Sequence, residues 1–277
     1  MAKQESKELT KAPAAAVPMV ADDYGDMAGV GFENQTSADM SIPFLTVLQA
    51  ISPEVNGPPA ERVKGAAAGM LMNTVTKQLF DGEKGVIIQP CDTNHVFVEW
   101  KPRSAGGGFV GIHQVDSDVV KQAIANAKTF GANKVGENDL HETFYIAALL
   151  HRSEDLAVQA TLGPEPILIA FTSTKIKPYR NIMTRLRTFM AKPPLFAHRL
   201  RLSTVVESNN KGTFANFALA PLVDNDIAKS LIPPRLGEDK HPLLINGQEL
   251  MKSYRSGLVK GNMDSAKSST KTDDIPF

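Results

Sequence analysis

The feature that most restricts this chain is a series of short runs rich in Val, Ile, Phe and Thr, each closed by a turn signal. Met70–Thr76, Gly85–Pro90, His95–Lys101 and Phe109–His113 follow one another, punctuated by Asp81-Gly82 and Gly106-Gly107-Gly108. Strands this short, spaced this closely, bury their apolar faces against each other, which predicts a barrel or a sandwich. His141–His151 and Pro166–Ser173 continue the pattern. Phe196–Glu207 and Thr213–Ala220 form a hairpin across the turn chemistry of Ser208-Asn209-Asn210-Lys211-Gly212. Two stretches instead carry a helical period. Val119, Val120, Ala123, Ile124 and Ala127 share one face within 116–130. Ile182, Met183, Leu186 and Phe189 share one within 176–190, where Pro178 falls in the tolerated first turn. The expected class is therefore mainly β with added helices, α+β.

The ends read differently. Residues 1–39 mix lysines and acids without a sustained period, the composition of a disordered segment. Ile42–Gln49 is the first strongly apolar stretch, a short helix or strand. A domain over 40–235 is expected, then a polar tether over 236–272 and a separate tip at 273–277. At 42% hydrophobic residues, the 277-residue chain can bury a real core. One cysteine, Cys91, allows no internal disulfide and by itself no zinc site, which fits a reducing, cytoplasmic-type compartment. No apolar run reaches the length of a membrane span, and the N-terminus lacks the apolar core of a signal peptide.

The formal net charge is zero, but it is unevenly distributed. From Phe171 to Lys211 stand nine cations, Lys175, Lys177, Arg180, Arg185, Arg187, Lys192, Arg199, Arg201 and Lys211, against a single acid, Glu207. Cations along a groove neutralise phosphates and release counterions. Arg199 and Arg201, two apart on a strand, share a face. Tyr179, Phe189, Phe196, Phe214 and Phe217 are interleaved with the cations, and unpaired bases stack on exposed rings. The competing reading is a solvated basic face over a core of rings. A second constellation surrounds the only tryptophan. Trp100 and Val98 lie on one strand face, Phe97 and Glu99 on the other. Lys101, Arg103 and Gly106–Gly108 follow, which makes either a clamp for a base and its phosphates or a hairpin with Trp100 packed inside.

Catalytic signatures are sparse. Asp92 followed by Glu99-Trp100-Lys101 loosely resembles the metal-binding core of a nuclease superfamily, in which carboxylates hold magnesium. Acid-x-Lys triplets are, however, common by chance. No phosphate-binding GxxxxGK[ST] loop and no GxSxG elbow occurs, and the six histidines are scattered. The expectation is a non-enzymatic protein with no metal and no cofactor.

The last five residues are Asp273-Asp274-Ile275-Pro276-Phe277. Two carboxylates, two apolar anchors and a rigid proline are what a short docking peptide needs. This ending resembles the acidic tip of bacterial single-stranded-DNA-binding proteins, which recruits replication, recombination and repair proteins. The larger body, with Phe171–Lys177, Arg199–Thr204, Glu207 and Lys211-Gly212, is similar to single-stranded-DNA-binding proteins of tailed bacteriophages. That resemblance implies an OB-fold-like antiparallel barrel, single-stranded DNA as partner, partner proteins at the tip, a possible homo-oligomer and residence in the host cytoplasm. The expected DNA contacts are Trp100, Lys101, Arg103, Lys175, Lys177, Tyr179, Arg180, Arg185, Arg187, Arg199, Arg201 and Lys211. A strand-annealing recombinase and the metal-dependent nuclease stand as alternatives.

Overall fold

A computed structural model of the chain describes residues 41–129, 131–209, 212–257 and 260–261, together with Gly31. The elements run β1 (Ser41–Ile42), β2 (Leu45–Val47), α1 (Pro53–Asn56), β3 (Leu71–Asn73), β4 (Leu79–Phe80), β5 (Val86–Trp100), β6 (Phe109–Gln114), α2 (Asp118–Ala125), β7 (Asn133–Val135) and β8 (Asn138–His151). They continue α3 (Leu156–Thr161), β9 (Glu165–Thr172), α4 (Ile176–Thr188), β10 (Leu200–Asn209), β11 (Gly212–Pro221), β12 (Arg235–Leu236), β13 (Asp239–Lys240), α5 (Pro242–Arg255) and β14 (Lys260–Gly261). The chain is mainly β with a few helices. Its larger sheets are antiparallel, and β1 and β14 form a small parallel pair.

A seven-stranded sheet runs β11-β10-β5-β8-β7, with β6 added on β5 and β9 on β8. β2, β3 and β4 form a separate antiparallel sheet. The ladders do not close into a barrel. β2 nevertheless stands between the two ends of the large sheet. The bridge Phe44↔Leu168 links its start to β9. The Gln49 side chain just after it meets β11: its Nε2 donates to the Ala215 carbonyl at 2.7 Å and its Oε1 accepts the Ala215 N–H at 2.9 Å. A primary amide thus stands in for a backbone pair. The main core lies inside this wrap: Leu45, Leu71, Ile88, Ile146, Ile167, Phe171, Leu200 and Phe217 pack together, and α4 lays Tyr179, Ile182 and Leu186 onto them.

The long central strand departs from the sequence expectation. Two separate strands, Gly85–Pro90 and His95–Lys101, are expected; the structure joins them through residues 91–94 into the 15-residue β5, Val86–Trp100. A bulge at Cys91 lets Pro90 pair with Ala148 and Asp92 with Ala147. Proline is tolerated here because the opposite edge of β5 is unpaired at that point: β10 stops at Ile88 and β6 starts at Val96. The helix expected over 116–130 is shorter, with the Ser117 side chain capping the Val120 N–H.

The larger correction concerns the C-terminal region. Part of the expected tether is the helix α5. Its Leu243, Leu244 and Leu250 are buried, and Leu250 joins Cys91, Val96, Val98, Tyr145 and Leu149 on the outer face of the β5–β8 pair. Gly247 makes the approach possible, since a Cβ there would stand 2.6 Å from Gln89 Nε2 and 2.8 Å from Phe196 Cβ. The ordered body thus reaches β14, where Lys260 and Gly261 pair with Ser41 and Ile42. The expected disordered segment 1–39 and the tip 273–277 lie outside the described residues, apart from Gly31. No described helix is long and apolar enough to cross a membrane.

Candidate nucleic-acid interface

The basic stretch is organised by α4. Its apolar residues at 179, 182 and 186 recur at helical spacing and turn inward. Lys177, Arg180, Arg185 and Arg187 are consequently left at the surface, and the helix carries no acid. Arg185 and Arg187 fall in the last turn, where cations complement the helix dipole. Two of the four are anchored: Arg185 donates to the Asn225 side-chain and backbone oxygens at 2.9 Å each, and Arg180 donates to Glu142 Oε1 at 3.0 Å. Lys177 and Arg187 form no ion pair among the described residues, which leaves them available to solvent or to an anion.

Three of the expected contacts are not at the surface. Tyr179 is 8% exposed and stacks on Phe144 at 4.7 Å, so it is core. Burial raises its phenol pKa, while a hydrogen bond to Thr93 opposes that shift. Lys175 is buried with its ammonium 5.5 Å from the centre of the Phe217 ring. Arg199 is buried and donates to the Glu154 carbonyl at 2.7 Å. Arg199 and Arg201 do point the same way, but toward Glu154 and Lys84: Arg201 donates to Glu154 Oε1 at 2.8 Å and to the Lys84 carbonyl at 3.0 Å. Their spacing was legible, whereas the acid that takes them up is remote in sequence. Phe214 and Phe217 are buried as well. Lys211 lies outside the described residues.

The tryptophan constellation sits elsewhere. Trp100 packs edge-on to Phe109, with ring centres 5.7 Å apart, and borders the cluster beneath α5. Lys101 is exposed, and Arg103 begins a 3-10 turn. The glycines at 106, 107 and 108 all have positive φ and open space around them, as the β5–β6 turn requires. Trp100 follows the parity of Val96 and Val98, on the face of β5 opposite Thr93 and His95, which look toward α4. One continuous groove over both constellations is therefore not formed on a single sheet face.

Sequence reasoning missed the residues between α4 and the sheet. His95 stacks on Phe144 with ring centres 4.0 Å apart and planes within 13°. His95 Nε2 and Arg180 Nη2 both reach Glu142 Oε1 at 3.0 Å, and the Arg180 guanidinium lies 5.3 Å from the Phe144 ring centre. The signal was the alternation on β8, which sets Glu142 and Phe144 on one face; only the register His95↔Phe144 brings the imidazole beside them.

The carboxylates of the nuclease-like pattern are separated. Asp92 accepts both Arg255 Nε at 2.7 Å and Nη2 at 3.0 Å. Glu99 instead bonds His113 Nε2 at 2.6 Å and Asn138 Nδ2 at 2.5 Å. Asp92 faces α5 and Glu99 the opposite side, so the two do not share an ion. Among the described residues no group of three His, Cys, Asp or Glu side chains is placed to hold a metal.

A mainly antiparallel β protein with an acid-free basic helix laid across its core is the class that fold and site define. Its sequence belongs to the Pam3 phage gp34-like protein family, whose model matches residues 10–231, ending before α5. No curated protein and no solved structure matches the chain.

Proposed function

We propose that this phage-family protein binds single-stranded DNA across the exposed face of α4 and recruits partner proteins through Asp273–Phe277. The observation that carries the reading is the cation set of α4: Lys177, Arg180, Arg185 and Arg187 on one solvent-facing helix without a single acid, in a chain of zero net charge. Such a surface concentrates phosphates locally although the chain as a whole carries no net positive charge. The sheets wrapped around one core, with Gln49 bridging β2 and β11, support an OB-like reading of the body. Lys175, Tyr179 and Arg199 drop out of the contact set because they are buried, and Arg201 because it is held by both Glu154 and the Lys84 carbonyl with a side chain less exposed than that of Arg180.

The test is anisotropy of labelled single- and double-stranded oligonucleotides across a salt series. Single strands should bind more tightly, with log K falling by roughly 0.7 per phosphate neutralised for each decade of salt. Three or four engaged cations give a slope of about −2 to −3. Absence of single-strand binding at low salt would overturn the reading.

A further inference from the structure

We propose that the outer face of the His95 ring is a stacking platform for an unpaired nucleobase, with Arg180 placed to take the adjoining phosphate. The inference rests on the single-strand reading and names where a base is held.

His95 ends a column of rings. Behind it come Phe144 at 4.0 Å, Tyr179 at 4.7 Å from Phe144, Phe171 at 5.3 Å from Tyr179, and Phe217 at 5.4 Å from Phe171. The four rings behind His95 are all buried in the core, so the column is rigid. His95 is its only member with substantial exposure, at 36% of its side chain. Its orientation is fixed twice, by the near-parallel stack on Phe144 and by the 3.0 Å contact of Nε2 with Glu142. Phe97, two residues along the strand, tilts against it at 6.1 Å.

The strand register supplies the room. Phe144 occupies one side of His95 across β5–β8. On the other side, β10 has stopped pairing at Ile88 and β6 has not begun before Val96. Among the described residues, no strand pairs with β5 at His95 on that side to set a side chain opposite the second face of the imidazole. A ring already ordered against a buried column loses little entropy when a base lies on it. Electrostatics agree. Glu142 would repel a phosphate, but its Oε1 is spanned by Arg180 and His95. The Arg180 side chain remains 57% exposed, one helical turn from Lys177 and two from Arg187 on α4.

The experiment compares two oligonucleotides of equal length, about 16 nucleotides, one of oligo-dT and one of the same backbone lacking bases. They are measured by anisotropy with the full chain and with His95→Ala and His95→Phe. His95→Ala should weaken oligo-dT binding on the order of tenfold and leave the abasic strand unchanged. His95→Phe, which keeps a ring but loses the contact with Glu142, should retain oligo-dT affinity to within about threefold. Equal losses on both strands, or no loss on either, would overturn the platform, as would a His95→Phe protein as weak as His95→Ala. Failure of the unaltered chain to bind either strand would instead overturn the single-strand reading itself.

Discussion

His151 shows how a residue can be readable and its role hidden. It ends β8 at 5% exposure, with Nε2 bonded to Gln89 Oε1 at 3.0 Å. The Gln89 amide nitrogen already donates to the Phe196 and Leu243 carbonyls, so its oxygen is an acceptor and His151 Nε2 carries the proton. Among the described residues Nδ1 is buried without a hydrogen-bond partner, as are Arg199 Nε and His241 Nε2. Burial, then the charges of Arg199 and His241, push the His151 pKa down from 6.5 to about 4. His198 and His241 shift down too, chiefly by burial. Between pH 6.5 and 4 the unfolded chain takes protons that the folded one refuses. Stability is therefore full above 6.5 and falls as pH drops through that window, by about 3 kcal/mol from His151 alone. Urea unfolding at neutral pH and near pH 4 checks this, and His151→Gln should flatten the difference. Cys91 gives a second expectation at this scale. It is 1% exposed, and burial pushes its thiol up, so it should resist alkylation in the native protein and react fully in denaturant.

Among the elements, α5 and α4 carry the sharpest expectations. If α5 is part of the body, Leu250→Ala removes a side chain packed on the sheet and costs about 2–4 kcal/mol in denaturant unfolding. A tether would lose nothing. For α4, the double change Lys177→Glu and Arg187→Glu alters two exposed residues without ion pairs. Affinity for single strands should drop more than about tenfold and the salt slope should flatten, with the melting temperature little changed. Arg201→Ala should do the reverse, loosening the link to Glu154 and leaving DNA affinity intact. The elements themselves were largely legible. Short apolar, β-branched and aromatic runs marked β8 and β9, turn chemistry between two such runs marked the β10–β11 hairpin, and helical spacing marked α4. The apolar run that stops at Pro90 did not mark the end of the strand: proline has no N–H to give, and the edge of β5 there has no neighbour that needs one. The tether expectation failed because α5 buries only one narrow face, at Leu243, Leu244, Gly247 and Leu250, within an otherwise polar stretch.

For the whole molecule, the tail and the groove can be tested against each other. If the two acids of 273–277 compete with DNA for α4, deleting these residues should raise single-strand affinity at low salt; unchanged affinity would separate the tip from the interface. Composition, period and turn chemistry by themselves determined the class, mainly β with helices, the clustering of cations between 175 and 211, and the character of the last five residues. These are local properties, set by each residue's own chemistry and its neighbours in the chain. Tertiary structure alone decided which cations remain at the surface, because the partners that bury or bond Lys175, Arg199 and Arg201 lie far away in sequence. It also decided that Trp100 and α4 occupy opposite faces, through the parity of β5, and that His95 meets Phe144 and Glu142, through the register of β5 on β8. Charge and aromatic content can be counted along a chain, but exposure is fixed only when remote segments pack.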